Sequence, residues 1–329
     1  MQATAYFADE QRCIDLLKEF RWRNGIKCPH CKYDKAYELN GAFKGYKCCR
    51  CKRNFSIING TIFEKSQLPL SKWFVAIYVV ITRKKGVSAA QLSRDINVTY
   101  NTAWFMIHRI RWMLMSDYKN KLSGYVEIDE SYLGGKNKNR HPDKKVKGAG
   151  GRSCKDKAPI IGIVSPEEYE YRERPSKKDP SKTVLEKVVT KPAQLICRAT
   201  RDVRVNTIKP LIYKNVELGS IIVTDEYNAY KGLQGNYQHR FVVHRIGEYV
   251  NDEGFTTNRI ENAWTHLKGM YIGTYRYISR KHLQRYLEEY CFRYNNRHLD
   301  NDRISLLSKA FANVERRLTW SDLVRKNTA

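Results

Sequence analysis

Two Cys-x2-Cys pairs place the tightest constraint on what this chain can fold into. Cys28-Pro-His-Cys31 and Cys48-Cys-Arg-Cys51 are separated by sixteen residues. That spacing suits two knuckles presenting four thiolates to one tetrahedral Zn²⁺, a ribbon expected over residues 26–60. Cys49 and His30 lie inside the knuckles and are expected not to bind. The ribbon serves either as a DNA contact or as a structural staple. Nine cysteines and no visible secretory signal fit thiols and metal better than a disulfide framework.

The charge balance narrows the partner. Lys and Arg number 60 against 34 Asp and Glu, a net charge of +26 with a pI near 9.7. A polyanion is the expected partner, the alternative being a basic surface that only keeps the chain soluble. Twenty-two Tyr and six Trp are available for base stacking or ordinary packing. The longest apolar stretch, Trp73–Thr82, is too short to span a bilayer, so no membrane partner is expected and the compartment is cytosol or nucleoid. A length of 329 residues suggests more than one domain.

Periodicity divides the chain further into a multidomain α+β arrangement. Residues 1–25 read as a helical lead-in, and residues 61–120 as a helical region that includes a helix over Lys72–Ile81. Leu92 and Ile96 pack one short helix, Asn97–Thr99 makes a turn, and Ala103, Trp104 and Ile107 pack the next helix. This pattern resembles a helix-turn-helix, with Tyr100, Asn101 and Thr102 as candidate base or phosphate contacts and Arg109 as a further DNA-binding candidate. An αα-hairpin with no DNA role is the alternative.

From residue 124 the texture becomes strand-rich. Strands are expected at 124–133, 158–165, 194–200 and 220–224, with a helix near 206–216 and a fifth strand at 240–246. Helices follow at 257–269 and 282–297. That order matches an RNase H-like α/β domain over residues 121–300. Two insertions interrupt it. Residues 134–157 hold nine Lys or Arg, two Asp and five Gly, reading as a flexible backbone clamp that includes Lys144, Lys145 and Lys147. Residues 166–192 are charged and have no assigned place. Residues 301–329 form a tail with a weak helical pattern and an exposed basic end.

Three acids occupy settings that suggest chemistry. Asp129 lies within Tyr125-Val-Glu-Ile-Asp-Glu-Ser131, sharing a strand face with Glu127 and Ser131, while Val126, Ile128 and Glu130 face the other way. An acid in the middle of an apolar strand calls for a cation, unless the strand surfaces early. Asp225 ends Ile221-Ile-Val-Thr-Asp225, where a turn-starting Asp is also common. Glu261 and Lys268 are seven residues apart and share one helix face. Two strand carboxylates and one helix carboxylate are what a nuclease-type fold needs to hold two divalent cations, Mg²⁺ or Mn²⁺, at a phosphodiester. Lys268 is a candidate phosphate contact. Asn258 could act as an outer group or a substitute ligand. His244 and His266 are spare titratable groups.

The motifs together resemble the insertion-sequence transposases of the IS1595 type, with an ISXO2-like catalytic domain related to Merlin elements. The resemblance rests on the cysteine knuckles, Phe55-Ser56, Gly60-Thr-Ile-Phe-Glu64, Pro69-Leu70-x2-Trp73, Val126-Glu-Ile-Asp-Glu130 and Thr224-Asp225. It continues through Thr257-Asn258-x2-Glu261-x2-Trp264-x2-Leu267-Lys268, Gly273-Thr-Tyr275, His282-Leu-x-Arg-Tyr286 and Arg293-Tyr-Asn-x-Arg297. It implies a DDE recombinase with Asp129, Asp225 and Glu261 as the carboxylates and Lys268 as the trailing lysine. Some relatives carry Asn or His at the third position, which leaves Glu261 and Asn258 both open. The 166–192 insertion departs from the usual short connection. The implied activity is Mg²⁺-dependent cleavage at the terminal inverted repeats, followed by strand transfer into target DNA within a homodimer or higher synaptic complex. Two alternatives stand beside it: a DNA-binding regulator that no longer cuts, and an RNase H-like nuclease.

Overall fold

The computed structural model describes all residues except 1–2, 42, 117–119, 136, 149–152, 177–178, 180, 244–249, 252 and 326–329. The chain divides into two units, Met1–Met115 with Leu299–Ala329, and Ser116–His298.

In the first unit a short helix α1 (Ala3–Tyr6) precedes α2 (Glu10–Arg21), which Asp9 caps by accepting the Gln11 N–H. Strands β1 (Ala36–Asn40), β2 (Lys44–Cys48) and β3 (Asn54–Phe55) form an antiparallel sheet in that order. Helix α3 (Leu70–Thr82) is apolar on most sides and supplies much of the core through Trp73, Phe74, Ile77, Val80 and Ile81. Pro69 precedes it and offers no side-chain cap; Glu10 fills that role from α2, accepting the N–H groups of Leu70 and Ser71 at 2.6 and 2.8 Å. Ser88 and Thr99 cap α4 (Ala89–Asp95) and α5 (Tyr100–Leu114), the helix pair expected from the Leu92/Ile96 and Ala103/Ile107 spacing.

The described part of the 301–329 tail packs within the first unit. Helices α9 (Arg303–Ala310) and α10 (Trp320–Val324) belong to the first unit. Phe311 packs between Phe20 and Phe74 at ring separations of 5.2 and 5.0 Å, and Val314 O accepts the Ile62 N–H. Single apolar residues reaching across the whole chain leave no local periodicity, which is why the helical pattern of 301–329 is weak.

The second unit is built on a five-stranded sheet in the order β10-β9-β4-β5-β8. Its strands are β4 (Tyr125–Leu133), β5 (Ala158–Ser165), β8 (Gln194–Ala199), β9 (Ile221–Asp225) and β10 (Gln238–Val242). β4, β5 and β8 run antiparallel, whereas β9 and β10 continue parallel to β4. Helix α6 (Val205–Asn215) provides the crossover from β8 to β9, and its Ile208 and Ile212 pack with Val126, Ile128 and Ile222. Helices α7 (Asn258–Met270) and α8 (Leu283–Asn295) pack on Ile160, Val164, Leu195 and Cys197. β4 alternates as expected: Val126 and Ile128 join the α6 cluster, while Leu133 joins the α7 cluster.

The insertion at 166–192 is an antiparallel ribbon, β6 (Glu168–Pro175) and β7 (Thr183–Lys191), which prolongs the β5–β8 pairing beyond the sheet. The described part of 134–157 is more tethered than a flexible clamp. Asn137 bridges both backbone groups of Val146 at 2.9 and 3.0 Å, Arg140 pairs with Asp156, and Arg280 donates to the carbonyls of Cys154, Lys155 and Lys157. Among the described residues, no helix is long and apolar enough to cross a membrane.

Candidate metal centres and nucleic-acid contacts

Cys28, Cys31, Cys48 and Cys51 converge with their sulfurs within 4.8 Å of one another. The Cys28–Cys51 and Cys31–Cys48 sulfur separations are 3.7 and 3.5 Å. A tetrahedron with metal–sulfur bonds of about 2.3 Å has edges of roughly 3.8 Å, so four thiolates fit Zn²⁺ here. The two knuckles share one backbone solution. The Lys32 N–H donates to Cys28 O and the Lys52 N–H to Cys48 O, and both lysines take positive φ, 61° and 58°. Cys49 and His30 stand outside the sulfur group. The lead-in helix is part of this packing. Trp22 sits edge-on to Tyr46 at 4.9 Å, and Arg21 donates to the carbonyls of Ile57 and Asn59.

The acidic site is assembled by sheet register. The parallel β4–β9 pairing ends at Glu127↔Val223, and two residues further along each strand lie Asp129 and Asp225. Carboxylate oxygens of Asp129, Glu130 and Asp225 lie within 4.8 Å of one another, a donor set of the hard-oxygen kind that suits Mg²⁺ or Mn²⁺. Burial pushes the Asp129 carboxyl up to about 7, and the neighbouring Glu130 and Asp225 charges add to the shift. Asp225 Oδ1 accepts the Tyr227 N–H at 3.0 Å. Glu130 is buried and accepts from the Tyr230 hydroxyl at 2.8 Å; burial and the nearby acids raise the Tyr230 pKa, keeping it a donor.

Glu261 is placed differently. It is half-buried in the first turn of α7 and accepts from the Thr257 hydroxyl at 3.1 Å. Among the described residues, the acidic group comprises Asp129, Glu130 and Asp225 and does not include Glu261. Glu261 is nevertheless one turn from Trp264, whose indole N–H donates to Asp129 Oδ2 at 2.9 Å. Asn258 is exposed at the first position of α7, and its backbone N–H donates to Thr256 Oγ1. Lys268 and His266 are exposed, and His244 lies outside the described residues.

Three further residues shape this site. Glu127, fully buried, accepts the N–H groups of Arg259 and Ile260 at 2.9 and 3.0 Å, thereby capping α7, whose own N-cap Thr257 makes no side-chain cap bond. Burial raises its carboxyl pKa although those donors and Arg259 oppose the shift. Gly162 pairs with Asp129 across β4–β5, and Trp264 rests against it. A glycine inside an otherwise Ile- and Val-rich strand is the available sequence signal for that close approach.

The DNA-contact candidates separate into two groups. Tyr100 is 56% exposed, Asn101 is exposed, and Thr102 is tied to Thr99 at 2.9 Å. Lys144, Lys145 and Lys147 are exposed. Arg109 does not belong in the set. It is 6% exposed, and its guanidinium donates to the carbonyls of Leu318, Ile62 and Glu64 at 2.8–3.0 Å. Its charge and fork geometry serve to bind loops to α5, since buried guanidinium N–H groups need acceptors.

Comparison with known proteins fits both centres. Residues 121–295 match the ISXO2-like transposase domain, and residues 8–54 match a transposase zinc-ribbon domain. The chain belongs to the ISXO2-like transposase family. The zinc-ribbon match begins before the ribbon expected at 26–60, consistent with the contacts of Arg21, at the end of α2, with Ile57 and of Trp22, just beyond it, with Tyr46. The transposase is 29% identical over 297 residues to a Halobacterium salinarum protein described as an uncharacterized protein in transposable element ISH50. That match covers 87% of this chain and 91% of the relative. An uncharacterized transposase-like protein of Haemophilus influenzae is 27% identical over 103 residues, covering 31% of this chain and 81% of its own length. No solved structure matches the transposase.

Proposed function

We propose that this transposase binds the terminal inverted repeats of an insertion sequence, cleaves the end phosphodiester and joins the freed 3′-hydroxyl to target DNA. The carrying observation is the meeting of Asp129 and Asp225 at the end of the β4–β9 pairing, within the ISXO2-like domain. The strand order, with three antiparallel strands, a crossover helix and then parallel strands, supports an RNase H-like reading of that domain. Asp129 and Asp225 would hold one or two Mg²⁺ or Mn²⁺ ions, joined by Glu261 from α7 or by Asn258 in its place. Such ions supply charge neutralisation at the scissile phosphate.

The chain's own groups do the remaining work. Buried Glu127 holds the first turn of α7, the turn that carries Glu261. Lys268, exposed seven residues further along, attracts a phosphate as a point charge. Tyr100, Asn101 and Thr102 at the start of α5 read or position the DNA ends as the second helix of a helix-turn-helix. Lys144, Lys145 and Lys147 hold DNA backbone non-specifically. Zn²⁺ on the four cysteines is structural. Processing two ends together calls for a homodimer or a higher complex, working on nucleoid DNA.

The placement of Glu261 outside the acidic group favours one competing reading, a sequence-specific DNA-binding protein that does not cut. The test is Mg²⁺-dependent nicking and strand transfer on an oligonucleotide bearing the element's end, comparing wild type with Asp129→Asn. Metal-dependent products from wild type and none from the variant support the transposition reading. Tight end binding with no products from wild type favours the non-cutting protein.

A further inference from the structure

We infer that Trp264 is a positioning residue for Asp129: its indole N–H holds one carboxylate oxygen so that the other is presented to a divalent cation. The inference rests on the cation-binding reading of the acidic site. Trp264 is 4% exposed, and its Nε1–H donates to Asp129 Oδ2 at 2.9 Å. An indole N–H is a donor with no acceptor capacity, so it cannot itself compete for the cation. A carboxylate has two oxygens and several lone-pair sites; engaging one leaves the other with its orientation set.

The surrounding structure fixes the direction of that N–H. Asp129 pairs directly with Gly162 on the neighbouring antiparallel strand. A Cβ on Gly162 would come within 2.5 and 2.6 Å of the Trp264 ring and 2.7 Å of Ile260 Cδ1. The bare glycine backbone is therefore what allows the indole to reach the sheet beside Asp129. From behind, the Tyr290 hydroxyl of α8 donates to Ala263 O at 2.7 Å, and Glu127 holds the N-terminal turn of α7. The helix is thus held at its first turn and again at Ala263, the residue before Trp264, which fixes the backbone from which the indole extends. Packing alone would be served by any large apolar side chain. The donor aimed at an Asp129 carboxylate oxygen is the feature packing leaves unexplained.

Outer partners of metal ligands commonly govern affinity by about 10–100-fold. The experiment measures Mn²⁺ binding to the full-length, zinc-loaded protein without DNA, from the free-Mn²⁺ electron paramagnetic resonance signal. The key variant replaces the Trp264 indole with its sulfur isostere benzothienylalanine, which keeps ring shape and removes only the N–H. Asp129→Asn serves as the site control, and Gly162→Ala as an independent way to push the ring off Asp129. The expected result is Mn²⁺ affinity weakened about tenfold or more in the isostere, with zinc content and melting midpoint unchanged, and weakened binding in Gly162→Ala. Mn²⁺ binding that Asp129→Asn abolishes but the isostere or Gly162→Ala leaves at the wild-type level overturns the Trp264 role alone. Wild-type protein with no Mn²⁺ binding sensitive to Asp129→Asn overturns the cation reading and this inference with it.

Discussion

The cysteine centre and the carboxylate centre reach convergence by opposite routes. Each cysteine pair is local, and both knuckles repeat one turn with a lysine in the left-handed region after the second cysteine. Sulfurs 3.5 and 3.7 Å apart make a closed set with no room for a substrate. Asp129 and Asp225 meet through sheet register, and burial together with the charges of Glu130 and Asp225 raises the Asp129 carboxyl to about 7. The first centre has the closed form of a structural zinc ribbon. The second is a partly buried gathering of acids, the kind of setting in which functional carboxylates are found.

The sharpest way to break this contrast is to remove one ligand from each. Cys48→Ser should release zinc and unfold the ribbon, since structural zinc supplies about 10–16 kcal/mol of folding free energy in small zinc domains. Zinc content and proteolysis between residues 26 and 60 report it. Retention of zinc and of protease resistance would contradict the structural role. Asp129→Asn should do the reverse to stability while abolishing strand transfer. Because the folded-state pKa of Asp129 is raised from 3.8 to about 7, its protonated form favours folding, and that stability is lost as pH rises through about 7. In magnesium-free buffer the Asn variant should therefore match wild type near pH 4 and exceed it above pH 8. The difference should be of order 1–4 kcal/mol, read from denaturant melts at each pH. A variant less stable than wild type at pH 8 would mean that Asp129 is not a site of stored repulsion.

A finer comparison sets two buried-end carboxylates against each other. Glu10 caps α3 and Glu127 caps α7, each from a distant element. Replacing either with Ala should cost about 1.5–3 kcal/mol in its own unit, the range for hydrogen bonds to a charged group. Only Glu127→Ala should also impair strand transfer, because α7 carries Glu261 and Trp264. Equal loss of transfer in both variants would remove that distinction.

The smallest effect concerns the basic surface. Replacing Lys144, Lys145 and Lys147 together with Ala should lower the slope of log affinity against log salt by up to about 2.7, at roughly 0.9 for each DNA phosphate that a lysine neutralises. Folding should not change. An unchanged salt slope would place the DNA elsewhere.

These contrasts also explain what is legible in the sequence. The cysteine ligands, the strand–helix order of the second unit and the Asp129/Asp225 pair are readable because spacing and alternation are local quantities. The role of Arg109 is not, because a cationic residue on an amphipathic helix looks the same whether it meets phosphate or three backbone carbonyls. The C-terminal segment hides its packing for a related reason: Phe311 and Leu318 find their partners hundreds of residues away. Glu127 and Trp264 stand in plain view within recognised motifs, but their roles depend on how α7 docks on β4, which no periodicity encodes. Glu261 marks the limit of motif reasoning, since it lies one turn from Trp264, which meets Asp129, yet does not join the acidic group.

The most direct measurement is an anomalous-scattering map from crystals of the protein grown with Mn²⁺. The expected result is a peak bonded to carboxylate oxygens of both Asp129 and Asp225, with Glu261 or Asn258 of α7 turned toward the same density. Strong Mn²⁺ peaks elsewhere, with none between Asp129 and Asp225, would contradict it.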